Sequence, residues 1–201
     1  MAGAKVMLIF ALGVALMSRA SSQEKFFLFD VRGGDITASD VQNVMNSFDV
    51  EYIFQVTASD RYLVVLPKVL QTDLANVTFG PGTVTSLVVE RSDDFYAKFG
   101  AAQSDALPDD LHCDDMMLVE AELLFTDLTT VQYKEMMKKM GNHLQTVHRE
   151  YPVHGFHVIG HFPAKILSFD CEAEGVVDGF LTLVDNPFQL RIVASPILRI
   201  Q

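Results

Sequence analysis

A chain of 201 residues with 49% hydrophobic and 20% charged content has the make-up of ordinary globular protein, with room for one domain or two small ones. Its formal charge of −11 and the lack of any basic run exclude a nucleic-acid or anionic-membrane role, since either needs a basic face. No stretch beyond the N-terminus approaches the roughly eighteen apolar residues of a membrane span, so none is expected.

Residues 1–22 read as a secretory signal peptide. Lys5 supplies the n-region charge, Val6 to Met17 the apolar h-region, and Ala20 and Ser22 the small residues before a cleavage ahead of Gln23. Cleavage removes Lys5 and Arg19 but no acid, leaving 13 basic against 26 acidic residues and a charge of −13. The expected protein is secreted, and Asn76-Val77-Thr78 is an N-glycosylation sequon that makes it a candidate glycoprotein.

A first unit spans residues 23–91. Phe26–Val31 reads as a strand and Thr37–Phe48 as a helix burying Val41, Val44, Met45 and Phe48. Val50–Thr57 and Tyr62–Leu66 form a hairpin around Ala58-Ser59-Asp60-Arg61. A short helix with Val69, Leu70 and Leu74 is expected after Pro67, then a closing strand over Thr83–Glu90. Residues 92–115, with DALPDD and an alanine-rich stretch, read as a linker.

The second unit, residues 116–201, repeats the order. Met116–Phe125 alternates as a strand, and a long helix follows with Val131, Met136, Met140, Leu144 and Val147 on one face. Thr129 and Gln132 form a capping box at its start. Strands are expected over Val153–Phe162 and Ala164–Asp170, then a helix carrying Val176, Val177, Phe180, Leu181 and Val184, stopped by Asn186-Pro187, and a last strand from Arg191. Each half is thus a ferredoxin-like βαββαβ unit, and the fold class is α+β with two tandem repeats.

The Gly160-His161-Phe162 turn, the Ser168-Phe169-Asp170 strand end and the Leu183-Val184-Asp185-Asn186-Pro187-Phe188 helix exit resemble muconolactone isomerase, a small cofactor-free enzyme, over about the last 85 residues. The resemblance implies a dimeric α/β barrel. One unit covers only one face of its sheet with helices. The expectation is therefore an intrachain pseudo-dimer in which the bare faces of the two sheets stack.

Strand parity then proposes a site. Val119, Ala121 and Leu123 would pack under helices, turning Glu120 and Glu122 toward the other sheet. The same rule, with Phe156, Val158 and Phe162 given to the helices, sends His157 and His161 inward, and it adds Ser168 and Arg191. Solvated glutamates and hydrogen-bonded histidines are the plainer reading of those residues, and a one-residue slip would reverse every side chain. His157 and His161 stand about 13 Å apart along a strand, too far to share one zinc, so no metal is expected there. No nucleotide or cofactor fingerprint occurs.

By resemblance, the chain is a cofactor-independent isomerase moving a proton on a small carboxylated lactone, with His161, His157 or Glu120 as base and Arg191 as the carboxylate clamp. The other reading is a secreted muconolactone-isomerase-like module, binding a small acidic or lactone ligand or a partner, that has lost the activity. The leader favours the second, and so do Glu120 and Glu122, which stand where the family's first strand has a histidine and a lysine. Association between copies is left open. Cys113 and Cys171 are the only cysteines; in the ferredoxin-like order 4-1-3-2 the start of strand one lies beside the end of strand three, so a disulfide is expected, the alternative being two buried thiols.

Overall fold

A computed structural model describes residues 25–57, 59–102, 113–124, 128–150, 153–161, 163–171, 173–183 and 190–201. The expected leader, residues 103–112 of the expected linker, Phe162 and the segment from Val184 to Phe188 lie outside them. No helix among the described residues is long and apolar enough to cross a membrane.

In chain order the elements are β1 (Lys25–Arg32), α1 (Ala38–Met45), β2 (Tyr52–Val56), β3 (Arg61–Val69), β4 (Thr83–Arg91) and α2 (Ser92–Ala97). Then come β5 (Met117–Leu123), α3 (Thr130–Glu150), β6 (Val153–Val158), β7 (Ala164–Asp170), α4 (Ala173–Leu183) and β8 (Leu190–Arg199). All the strand pairs are antiparallel, and the strands close into a barrel in the order β1-β3-β2-β8-β5-β7-β6-β4.

The helix starts follow from their caps. Thr37 accepts from the Asp40 amide while Asp40 accepts from the Thr37 amide, a reciprocal box worth about 1 kcal/mol. Thr129 and Gln132 do the same for α3.

Two expectations are corrected. The sheets do not stack as separate layers; their edge strands pair, Phe54–Val56 of β2 with Ile197–Arg199 of β8 and Val89–Arg91 of β4 with Phe156–Val158 of β6. An edge strand presents a row of unpaired backbone groups, and closure satisfies both rows. No helix follows Pro67 either: β3 continues to Val69 and residues 70–77 form successive turns. Pro67 has no N–H to give to a ladder, yet is tolerated near the end of the strand.

Three clusters sort the side chains. The barrel interior holds Leu28, Phe54, Leu63, Val65, Leu118, Phe156, Leu167 and Phe169, with Phe54 stacked on Phe169 across it at 4.5 Å between ring centroids. Outside, one cluster lies under α1 and another under α2, α3 and α4. The Cys113–Cys171 bridge is present, with Cα atoms 5.8 Å apart, and packs against the interior cluster. It follows from the antiparallel pairing of Met117 with Asp170.

Candidate functional site: a charged barrel mouth

The end of the barrel opposite the disulfide is lined by charges. Asp30 and Arg32 close β1, Arg61 opens β3, Glu120 and Glu122 lie in β5, Lys165 opens β7 and Arg191 opens β8. Register fixes the neighbours: Arg32 lies opposite Arg61, and Glu122 lies opposite both Lys165 and Arg191. Arg32, Arg61, Glu120, Glu122, Lys165, Arg191 and Val193 enclose a cavity of about 270 Å³.

Arg61 organises the floor. Its Nε and Nη2 donate to the two oxygens of Asp30, each at 2.9 Å, while Nη1 and Nη2 donate across the lumen to Glu120 at 2.6 and 2.9 Å. Lys165 Nζ stands 3.2 Å from Glu120, and Arg32 grips Asp30 with two bonds of 2.9 and 2.6 Å. Burial works against both carboxylates, yet the hydrogen bonds from Arg32 and Arg61 hold Asp30 below its ordinary pKa, and those from Arg61 and Lys165 do the same for Glu120. Against the same burial, hydrogen bonds to Glu120 and Asp30 raise the pKa of Arg61.

The rim differs from the floor. Asp30, Arg61, Glu120 and Lys165 keep only 7–15% side-chain exposure, whereas Arg32 and Arg191 keep 55% and 75%. Arg191 reaches Glu122 only at 3.7 Å, beyond a good hydrogen bond, so its donors face the cavity mouth and solvent. Among the described residues four cations meet three carboxylates here, a local positive excess on an acidic chain.

Of the residues expected from strand parity, Glu120, Glu122 and Arg191 do converge in the barrel. The other three do not. His157 points outward onto α2, its ring stacked on Phe95 at 3.8 Å and edge-on to Tyr96 at 4.7 Å. Burial pushes its pKa down to about 3, helped by the charge on Lys98, so the ring is neutral. His161 lies in the exposed turn after β6, where Nδ1 donates to the Pro163 carbonyl at 2.8 Å. Ser168 is buried on the outer face of β7 with Ile166, and its hydroxyl donates to Asp170 at 2.7 Å.

The error has a physical source. Both faces of β6 are packed, because Phe156 and Val158 fill the barrel while α2 covers the other side. An apolar pattern then cannot say which face is inside. Asp30, Arg32, Arg61 and Lys165 escaped the sequence reading, although the charges ending the apolar run Phe26–Phe29 were a usable signal.

No family model and no curated protein matches the sequence. Solved structures match its path. Two arginine-substituted variants of chlorite dismutase from Candidatus Nitrospira defluvii are similar, one with TM-score 0.51 and 8% identity over 92% of this chain and 95% of that one. The second has TM-score 0.50 and 10% identity over 90% and 94%. An anthrone oxidase-like protein gives TM-score 0.47 and 10% identity over 89% and 93%. At these identities the likeness concerns the fold alone: the described residues form a mixed α/β structure with an eight-stranded antiparallel barrel and four helices, a dimeric α/β barrel-like fold.

Proposed function

We propose that this protein is a secreted small-ligand-binding module whose barrel mouth takes a small carboxylated molecule and performs no proton transfer on it. The exposed guanidinium of Arg191 carries this reading: it is fixed on a strand above a compensated floor and holds its own carboxylate partner at only 3.7 Å. A carboxylate entering the mouth would meet Arg191 and Arg32, while Arg61 is already spent on Asp30 and Glu120. On an acidic protein a local cation pair of this kind is what lets an anion approach.

The isomerase alternative needs a base beside the same clamp. Glu120 is held ionised by Arg61 and Lys165, which makes it a poor proton acceptor. His157 and His161 both lie outside the barrel. The strand order 4-1-3-2 within each half, β4-β1-β3-β2 and β8-β5-β7-β6, supports the further reading that the chain is a duplicated ferredoxin-like unit related to muconolactone isomerase, with the first copy lacking its second helix.

Calorimetric titration with succinate and lactate tests the binding. The expected result is saturable binding that Arg191→Ala weakens by about tenfold to a hundredfold, the value of one charge-assisted bond. Unchanged affinity in that variant would overturn the assignment.

A further inference from the structure

β8 outruns one of its two neighbours. On one side it pairs with β5 from Leu190 to Pro196 without a register shift; on the other, β2 reaches only Ile197–Arg199, with one further bond from the Thr57 amide to the Pro196 carbonyl. Among the described residues Leu190–Ser195 therefore has an open edge, about 20 Å long by strand rise.

The backbone bonds fix which groups line that edge. The Ile197 amide donates to Met116 on the β5 side, whereas the Pro196 carbonyl accepts from Thr57 on the β2 side. The amide and carbonyl of a strand residue point to the same side, and the side alternates along the chain, so Ile192 and Ala194 turn theirs to the open edge. Neither has a backbone partner there among the described residues. On the inner face Arg191 and Val193 flank the same edge and line the mouth cavity, and Val193 keeps 40% exposure. Edges are blunted by a lysine, a proline, a bulge or a covering element. Leu190–Ser195 holds no lysine or proline, and its pairing with β5 has no bulge. β4 is open in the same way from Thr83 to Leu87, but no cation lies on that stretch.

We propose that the carboxylated ligand of the barrel mouth is a short extended peptide that adds to β8 as an antiparallel strand, with an apolar residue opposite Val193 and, two positions later, an acidic residue opposite Arg191. This rests on the anion-binding reading of the mouth and adds a backbone edge to it. Ile192 and Ala194 supply two donors and two acceptors, Val193 an apolar neighbour, and Arg191 the partner of the acidic side chain. The order of the two side chains follows from direction, because in an antiparallel pair the ligand runs forward as β8 runs back. A second copy of this chain is the poorer occupant: its formal charge of −11 repels another copy, and it would bring a second Arg191 to the first.

Fluorescence anisotropy of labelled acetyl-Ser-Val-Thr-Glu-Ser-amide on the intact protein, with two N-methylated forms, tests the proposal. With its valine opposite Val193, the threonine amide of the probe faces Ile192 and the glutamate amide faces away. Methylating the threonine nitrogen should weaken binding about tenfold or more, the value of one backbone hydrogen bond, and methylating the glutamate nitrogen should leave it unchanged. Ala194→Pro removes a donor from the open edge and none from the β5 ladder, so it should weaken the peptide by a similar factor and leave succinate binding intact. Equal losses from the two methylations in the unaltered protein would overturn the proposal, whether or not Ala194→Pro folds. So would full peptide affinity in Ala194→Pro, or no peptide binding where succinate still binds through Arg191, and in both cases the anion site would stand. Failure of succinate and peptide alike would remove the anion site and the proposal with it. A dimer in sedimentation that Ala194→Pro returns to monomer would give the edge to a second copy and overturn the peptide assignment.

Discussion

Asp170→Asn should stabilise the protein, increasingly so as pH rises from 6.5 to 8. Asp170 ends β7 with no exposed surface; the Ser168 hydroxyl donates to one oxygen, and the other has no partner among the described residues. Burial pushes its pKa up from 3.8 to about 8, only partly offset by the Ser168 bond. The folded chain therefore keeps a proton that the unfolded chain has released, and stability falls as pH climbs from 3.8 toward 8, by at most about 1.4 kcal/mol per unit. His157 acts in the opposite sense: with its pKa lowered from 6.5 to about 3, the unfolded chain takes up a proton that the folded one refuses, so stability falls on acidification below 6.5.

Between about 3.8 and 6.5 the two slopes cancel; from 6.5 to 8 Asp170 acts alone. Over that window the difference between the asparagine variant and the unaltered protein should grow by up to about 2 kcal/mol. For a chain of this length that corresponds to roughly 4–8 °C in Tm. Urea unfolding of both proteins at half-unit steps measures it. A stability difference that stays constant from pH 6.5 to 8 would mean that Asp170 is already ionised, and the reasoning fails.

Arg61→Ala should cost about 1.5–3 kcal/mol in denaturant unfolding, because Asp30 is left with Arg32 and Glu120 with Lys165 as their remaining partners, whereas Arg191→Ala at the exposed rim should change stability little. Replacing Cys113 and Cys171 together by serine should lower stability by up to about 4 kcal/mol, the chain-entropy value for a separation of 58 residues. Glu120→Gln should blunt the loss of stability on acidification, since a carboxylate whose folded pKa is depressed stabilises only above its unfolded value and loses that contribution as pH falls through the folded one. Thermal melts from pH 7 to pH 3 compare the two proteins.

Much of the fold was legible because local signals agreed. Thr37 and Thr129 mark their helices by reciprocal caps, and alternation in β5 sorted Glu120 and Glu122 from Val119, Ala121 and Leu123. β6 was not legible, because a strand packed on both sides carries no alternation to read. The same blindness hid α2: Tyr96 is 2% exposed in a segment that composition marks as a linker, and its partners lie on α3 and β6, remote in sequence. The Asp30–Arg61–Glu120 triad was out of reach for a related reason. It joins strands from different halves, and only barrel closure brings them face to face.

The account stands on the barrel mouth binding a small anion through its rim. Side-chain Nε–Hε resonances of arginine in a ¹⁵N-labelled sample, followed during titration with succinate, test this directly. Saturable shifts are expected for Arg191 and Arg32, with Arg61 held in place by its two carboxylates and barely moving. Saturable shifts confined to arginines outside the mouth, or no saturable shift at any arginine, would contradict it.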